Sequence, residues 1–419
     1  MSPRHTRYDM IFLGGGCAAL SLLVRLLNAD QFSGYRFLVI DRDRKTANDR
    51  TWCFWEKGSG YFEEVLFRHW EQLDFFSDHF CSPLSLEGYR YKMIRGVDFY
   101  AHCLDVLERS GQVEWVGASI TDVSRSNDRV VLQGNFGSNV SNYSGSSFTW
   151  ELSAPLVFSS IYKPAVTASN QVDLLQHFKG WVIELPKSLI EEGMRVSNPS
   201  PTEATTQATQ PAFHPQRATL MDFRVSQQEG TTFVYVMPFS ERRALVEYTL
   251  FTKNVLTPAA YEQGLRDYIR DQLGISEYQV VEEEFGVIPM TTRSFLFYQD
   301  GMYNLGTAGG QTKASSGYTF QFIQKQSDRI VEYLVRTKSG GLQQLKSDPS
   351  RFHFYDQVLL NVLAKGYWPG DKVFARLFER NKASKIFRFL DNETSLPEEL
   401  SIISSLPTWP FLKGAAATI

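Results

Sequence analysis

The chain has 419 residues and a formal net charge of -3, with 43% hydrophobic and 21% charged residues, a globular composition long enough for more than one structural unit. No Lys/Arg block stands out, which argues against a nucleic-acid partner. Cys17, Cys53, Cys81 and Cys103 form no CxxC pair and have no histidine at ligand spacing. Neither a disulfide framework nor a metal site is expected, and a reducing cytoplasm fits.

Basic Arg4 and Arg7 precede the apolar run Met10 to Leu13, the beginning of an export-signal pattern, but three glycines and then Arg25 interrupt it. No other stretch reaches the roughly 20 apolar residues of a spanning helix. Residues 8–13 read as a buried strand, 14–16 as a turn, 18–27 as a helix and 36–40 as a second buried strand ending at Asp41, the start of a parallel βαβ unit. Residues 51–61 are aromatic and loop-like. A helix over 97–109 precedes a hairpin over 113–122 and 129–133, a Ser/Asn/Gly-rich loop over 135–148 and an apolar strand over 155–160.

Residues 197–217 lack apolar periodicity and read as a long surface loop. Residues 218–223, 231–238 and 243–251 alternate as strands of one antiparallel sheet. Helices are expected over 257–273, over 316–335 after a Gly-rich loop, and from 351 onward.

The turn Gly14-Gly15-Gly16-Cys17-Ala18-Ala19 fits G-x-G-x-x-G/A between strand and helix. Gly14 permits the tight turn, Gly16 lets a pyrophosphate approach the backbone, and Ala19 lets the helix pack close to the strand. Asp41 falls where a ribose-binding acid belongs. An apolar turn followed by an unrelated Asp is the plain alternative. The position near residue 10 favours FAD over a nicotinamide dinucleotide, by analogy with flavoproteins.

The second Gly-rich segment, YNLGTAGGQTKASSGYTF over 303–320, resembles the loop that runs under the flavin in flavin hydroxylase-type folds. Gly306, Ala308, Gly309, Gly317 and Tyr318 become cofactor candidates, with Gly306-Thr307 where that family has Gly-Asp. Its helix N-terminus, at Ser316 to Tyr318, would turn its positive end toward the isoalloxazine. An Arg in the place of Arg95 often contacts the FAD phosphates in that class, and an exposed surface residue is the alternative.

Four segments together resemble the lycopene cyclase family of FAD-dependent carotenoid enzymes: Asp-Arg-Thr-Trp-Cys-Phe-Trp over 49–55, Thr-Leu-Met-Asp-Phe over 219–223, FVYVMPFSERRALVEYT over 233–249, and the 305–320 loop. The likeness spans roughly residues 8 to 335. It implies an α/β fold of the flavin hydroxylase/glutathione reductase class: a Rossmann-type FAD-binding unit (1–60, 90–165, 290–335), an antiparallel substrate sheet (61–89, 166–289) and a C-terminal helical region (336–419). It also implies an intramolecular lyase or isomerase that closes β-ionone rings on linear carotenes, lycopene to γ- and β-carotene, without net redox change. FAD would be active in its reduced form, with NADPH or NADH as the reductant.

The family's acidic motif, Phe-Leu-Glu-Glu-Thr, reads Leu245-Val246-Glu247-Tyr248-Thr249 here. Glu247 keeps the first carboxyl and is the acid/base candidate, while Tyr248 replaces the second. A surface Glu247 paired with Arg242 or Arg243 is the alternative. An alkene is a poor base, so the acid must be kept neutral, which burial among apolar walls achieves. Alternation puts Leu245, Glu247 and Thr249 on one strand face. Trp52, Phe54, Trp55, Tyr235, Met237 and Pro238 are candidate pocket walls, or ordinary core; aromatic faces attract cations. Asp222 is a lesser acid candidate.

A carotene resides in bilayers, so peripheral attachment of a cytoplasmic enzyme to a membrane surface is expected. Residues 372–389 interleave Phe with Lys and Arg like an interfacial helix, or one packed on the core. The alternatives are a flavin-dependent hydroxylase or prenyl reductase on the same fold, which would consume NAD(P)H, and a non-catalytic carotenoid carrier, which would tolerate loss of Glu247.

Overall fold

The computed structural model describes residues 2–136, 147–161, 172–186, 213–337, 341–345 and 350–418. The loops expected over 135–148 and 197–217 lie largely outside these residues. β1 (Met10–Leu13), β2 (Phe37–Asp41) and β11 (Leu156–Ser159) are almost wholly buried apolar runs, because the parallel sheet they form is covered on both faces. They sit in an eight-stranded sheet that also holds β8 (Val113–Ser126), β9 (Arg129–Phe136), β10 (Ser147–Ser153), β17 (Tyr298–Gln299) and β18 (Met302–Asn304), ordered β10-β9-β8-β2-β1-β11-β18-β17. The chain leaves β1, crosses through a helix (Cys17–Leu27) to β2 on one side, and later lays β11 on the other. The Gly14–Gly16 turn therefore stands at a topological switch point, the crevice where open α/β sheets bind ligands.

The second sheet has seven strands, ordered β16-β12-β15-β14-β13-β5-β6: β16 (Gln279–Thr291), β12 (Asp173–Glu184), β15 (Arg243–Thr252), β14 (Thr231–Pro238), β13 (Arg217–Asp222), β5 (Gln72–Phe76) and β6 (Cys81–Leu84). Strict alternation gives it two different faces. Val234, Val236, Val246, Tyr248 and Leu250 pack on the helix Pro258–Asp271. Phe233, Tyr235, Met237, Leu245 and Phe251 face the other way, into a core shared with the C-terminal helices through Phe374, Leu377, Phe378 and Phe387.

Several expectations are corrected. The aromatic run after residue 50 is a strand, β3 (Thr51–Lys57), paired with β7 (Tyr89–Arg95) in a third sheet completed by β4 (Arg68–Trp70). The helix expected from 316 begins at Phe320 and runs to Thr337, so Ser316 to Tyr318 lie in the preceding turn. The segment 372–389 is two helices, Gly370–Arg380 and Ala383–Leu390, broken where Asn381 adopts an extended backbone and its side-chain amide donates to the Leu377 carbonyl. Their phenylalanines turn inward: Phe374 and Phe378 are buried and Phe387 is 0% exposed, so they do not form a lipid-facing stripe.

Candidate active site

A cavity of about 390 Å³ lies where the two large sheets and β3 meet. Gly16, Cys17 and Ala18 line it from the fingerprint, Leu305 to Thr307 and Ser316 to Phe320 from the second Gly-rich segment, and Glu247 and Glu284 from the seven-stranded sheet. Residues more than 200 positions apart thus share one space.

The fingerprint is built as its spacing requires. Gly14 has φ +95°, and a Cβ there would overlap the Ser160 hydroxyl. Gly16 faces open space, with no atom within 4 Å of a Cβ placed on it, and it starts the helix without a side-chain cap. The first N–H groups of that helix are left for a ligand, and its dipole favours an anion. Ala19 is buried against the sheet, and the Asp41 carboxylate accepts the Gly15 N–H at 2.6 Å. Gly306 (φ +58°) and Gly317 (φ +72°) are left-handed turns, and a side chain on Gly317 would strike Gln176.

The acidic end is set by strand register. β14, β15, β12 and β16 align Tyr235, Glu247, Gly180 and Glu284 in one row across the sheet. Gly180 is the enabling residue, since a Cβ there would stand 2.8 Å from Glu284 Cγ and 2.9 Å from Leu245 Cδ1. Because Gly180 has no Cβ, the Glu247 and Glu284 side chains on its two neighbouring strands interact across it. The Thr249 hydroxyl donates to Glu247 Oε1 at 2.9 Å, and the Thr51 hydroxyl to Glu284 Oε2 at 2.7 Å. Glu284 Oε1 is buried and has no donor among the described residues.

Part of Glu247 opens to the cavity, and the rest of the side chain is enclosed. Burial, then the Glu284 charge and the contact with its carboxyl, push Glu247 well above the usual carboxylate range, with Thr249 opposing. Burial also raises Glu284, against the hydrogen bonds from Thr51 and Glu247. Two carboxyls this close cannot both ionise cheaply. The pair holds one proton together, with Glu247 the more strongly raised member. Arg242 and Arg243 do not neutralise Glu247: Arg242 holds Glu184 and the Leu185 carbonyl, and Arg243 holds Glu282.

Beside the acids stand Trp52, Cys53, Tyr91, Tyr235, Met237 and Tyr318. The hydroxyls of Tyr91 and Tyr318 are 3.0 Å apart, and burial raises both phenols above their ordinary range. Other candidates are elsewhere. Phe54 stacks on Phe320, Trp55 stacks on Phe387 and donates to Asp391, and the Pro238 carbonyl accepts from Trp70; these three build core. Asp222 is fully buried and engaged by Arg224 and Tyr268. Arg95 is held by Asp98, lies over the Phe67 ring and does not line this cavity, although it pairs with Thr51 at its edge. The cations that do line the cavity are Lys45 and Arg50. Ala308 belongs to the short 3-10 turn Gly306–Gly309, and Gly309 fits against the Asn304 carbonyl.

Sequence reading missed Glu284, Gly180 and Thr51. Glu284 lies in the run Glu282-Glu283-Glu284, which looks like a solvated face; register with Gly180 is what singles it out. Tyr248, in the motif's second acidic place, points to the opposite face, where Gly264 makes room for its ring.

The sequence model of the family described as Lycopene cyclase protein matches residues 9–191 and 204–416. The chain belongs to the lycopene cyclase family. A lycopene beta-cyclase from Pantoea ananas is 27% identical over 208 residues, 47% of this chain and 54% of that relative, so the match spans about half the relative's length. Among solved structures, a geranylgeranyl bacteriochlorophyll reductase-like protein from Thermoplasma acidophilum superposes with a TM-score of 0.64 at 12% identity, covering 99% of both chains. A flavoprotein/dehydrogenase from Cytophaga hutchinsonii gives a TM-score of 0.53 at 13% identity over 92% of each. At such identity the likeness is one of fold, and it agrees with the Rossmann-type α/β architecture with a second sheet that is antiparallel except where β13 runs parallel to β5. Among the described residues no helix is long and apolar enough to cross a membrane, and no cluster of His, Cys, Asp or Glu is arranged to hold a metal.

Proposed function

We propose that this lycopene cyclase family member closes β-ionone rings on the ends of linear carotenes such as lycopene, by proton transfer from Glu247 and without net redox change. The observation that supports this most is the placement of Glu247, with its raised proton affinity, in the same cavity as the two glycine-rich turns.

The residues fit a flavin dinucleotide. Gly16 leaves a cradle at an uncapped helix N-terminus, Asp41 suits a ribose, and Ser316 Oγ and Gln176 Oε1 are buried at the cavity without hydrogen-bond partners among the described residues. When bound and reduced by NADPH or NADH, FAD would supply negative charge beside a developing cation.

The chain's own groups account for the proton. The Glu247 O–H bond breaks as a C–H bond forms at the polyene's terminal double bond, leaving a tertiary cation. The neighbouring double bond's electron pair closes the six-membered ring. A ring carbon then loses a proton to a carboxylate in the cavity, and the double bond of the β-ionone end forms. Phe178, Met237, Leu245 and Ile288 exclude water from this path, and Trp52, Tyr235 and Tyr318 offer ring faces to the cation.

The polyene would arrive from a membrane surface. The helices Leu396–Ser404 and Thr408–Ala416 expose Leu396, Leu400, Trp409 and Leu412, each more than half accessible, with Lys413 beside Trp409. Leu400→Ser with Trp409→Ser is expected to abolish co-flotation with liposomes; unchanged flotation refutes this surface.

The test of function is an anaerobic incubation of lycopene with the protein and reduced FAD, counting rings formed against NADPH oxidised. Rings without stoichiometric oxidation support the cyclase. Oxidised or hydrogenated product with matching consumption identifies a hydroxylase or reductase instead.

A further inference from the structure

We propose that Glu284 is the second carboxyl of the acid, sharing a single proton with Glu247 across Gly180, so that the working form is the singly protonated pair. This rests on the cyclase reading for its purpose but on strand geometry for its existence. The motif's own second acidic position cannot serve, because Tyr248 faces the helix on the far side of the sheet.

Three observations converge. The register places Glu247 and Glu284 on either side of Gly180, the strand residue without a side chain to part them. Thr51 donates to Glu284 Oε2 as Thr249 donates to Glu247 Oε1, so each carboxyl has one oxygen anchored and one left for the other. Glu284 Oε1, buried and lacking a donor, gains one only when Glu247 carries a proton and turns its O–H toward it. The arrangement is therefore satisfied with one proton, underfilled with none, and stripped of its charge with two.

Groups facing the pair from the surrounding elements leave the titration to the two carboxyls. Cys53, Tyr91, Tyr235 and Tyr318 are raised by burial and stay neutral near neutrality. Thr249 and Thr51 do not titrate. Glu282 adds negative charge near Glu284, and Lys45 and Arg50 lie along the cavity wall. Glu284 is a positioning residue in this scheme: it holds the proton on Glu247 by its charge and aims it by accepting the hydrogen bond.

The test is infrared titration of the flavin-loaded protein, following the carbonyl stretch of the protonated carboxyl that disappears in Glu247→Gln. Glu284→Gln replaces a charge by a neutral group of the same shape. It should lower the midpoint of that band by about one pH unit or more and lower the alkaline limb of the pH–rate profile with it. Thr51→Val removes the donor that stabilises charged Glu284, so part of the shared proton should pass to Glu284: the band assigned to Glu247 should weaken at fixed pH while a second protonated-carboxyl band gains what it loses. A lowered midpoint in Glu284→Gln and this redistribution in Thr51→Val support the shared proton. An unmoved midpoint in Glu284→Gln overturns it, and if that variant does not fold, an unchanged Glu247 band in Thr51→Val does so. A wild-type protein that shows the band and its shifts but forms no rings refutes the cyclase reading and leaves the pair standing. Rings formed with unmoved midpoints do the reverse.

Discussion

Gly180→Ala adds a single methyl group at the centre of the acidic row. In the present geometry that methyl would stand 2.8 Å from Glu284 Cγ and 2.9 Å from Leu245 Cδ1. Ordinary contact requires about 3.5 Å or more, so Glu284 must retreat by roughly 0.7 Å or the strands must part. Overpacking of this kind costs about 1–3 kcal/mol of stability. Its larger effect falls on chemistry, since misplacement near 1 Å can cost about 10²-fold in rate. The expected outcome is a folded, flavin-binding protein whose ring formation drops about 100-fold. The assay is ring formation per bound flavin, with thermal unfolding measured alongside. Gly134→Ala is the control: its methyl would strike the Ser119 carbonyl in the β8–β9 hairpin, remote from the cavity, so stability should fall with turnover per folded molecule unchanged. Wild-type turnover in Gly180→Ala would refute the argument that the two carboxyls must close over this residue.

Gly16→Val should leave thermal stability nearly unchanged, since a Cβ at that site meets no atom, while reducing FAD retention at least tenfold on gel filtration; equal retention would show that phosphates do not approach there. Arg95→Ala should not change flavin content, because its guanidinium is engaged by Asp98. Lys92 is fully buried and holds the partly exposed Glu56 and Glu63 and the Gly58 carbonyl, so Lys92→Ala should cost about 1–3 kcal/mol in chemical denaturation through lost hydrogen bonds and packing; no measurable loss would contradict that. Glu247 gives a pH dependence of stability. Its folded proton affinity exceeds the unfolded one, so the native state binds more protons, and wild-type stability falls as pH rises from the usual carboxylate range toward the raised folded value. Glu247→Gln should show a shallower decline, Glu284 being raised as well, and parallel stability–pH curves for the two proteins would count against a buried neutral acid.

The sequence revealed features governed by local pattern. Gly14 to Gly16 sit between a strand and a helix, with Ala19 in the helix's first turn, as their spacing requires, and the alternation around Glu247 puts Leu245 and Thr249 on its face. Features governed by register between distant strands stayed hidden. Nothing local distinguishes Glu284 from Glu282 and Glu283; only the pairing of β16 with Gly180 on β12 does so. Aromatic composition was ambiguous for the same reason. Trp52 reaches the cavity whereas Phe54 and Trp55 fill core, because β3 is a strand clasped between sheets instead of the loop its composition suggested. The 372–389 stripe fitted either a core-packed or an interfacial helix, because sequence shows that a face is apolar without showing what covers it, and the burial of Phe374, Phe378 and Phe387 favours the core.

The most direct measurement is ring formation by Glu247→Gln in the presence of lycopene and reduced FAD, with flavin occupancy recorded on the same sample. Full occupancy and no cyclic product are expected, because the amide keeps the shape of the acid but has no acidic proton to give. Cyclic product at anything near the wild-type rate would show that the proton comes from elsewhere.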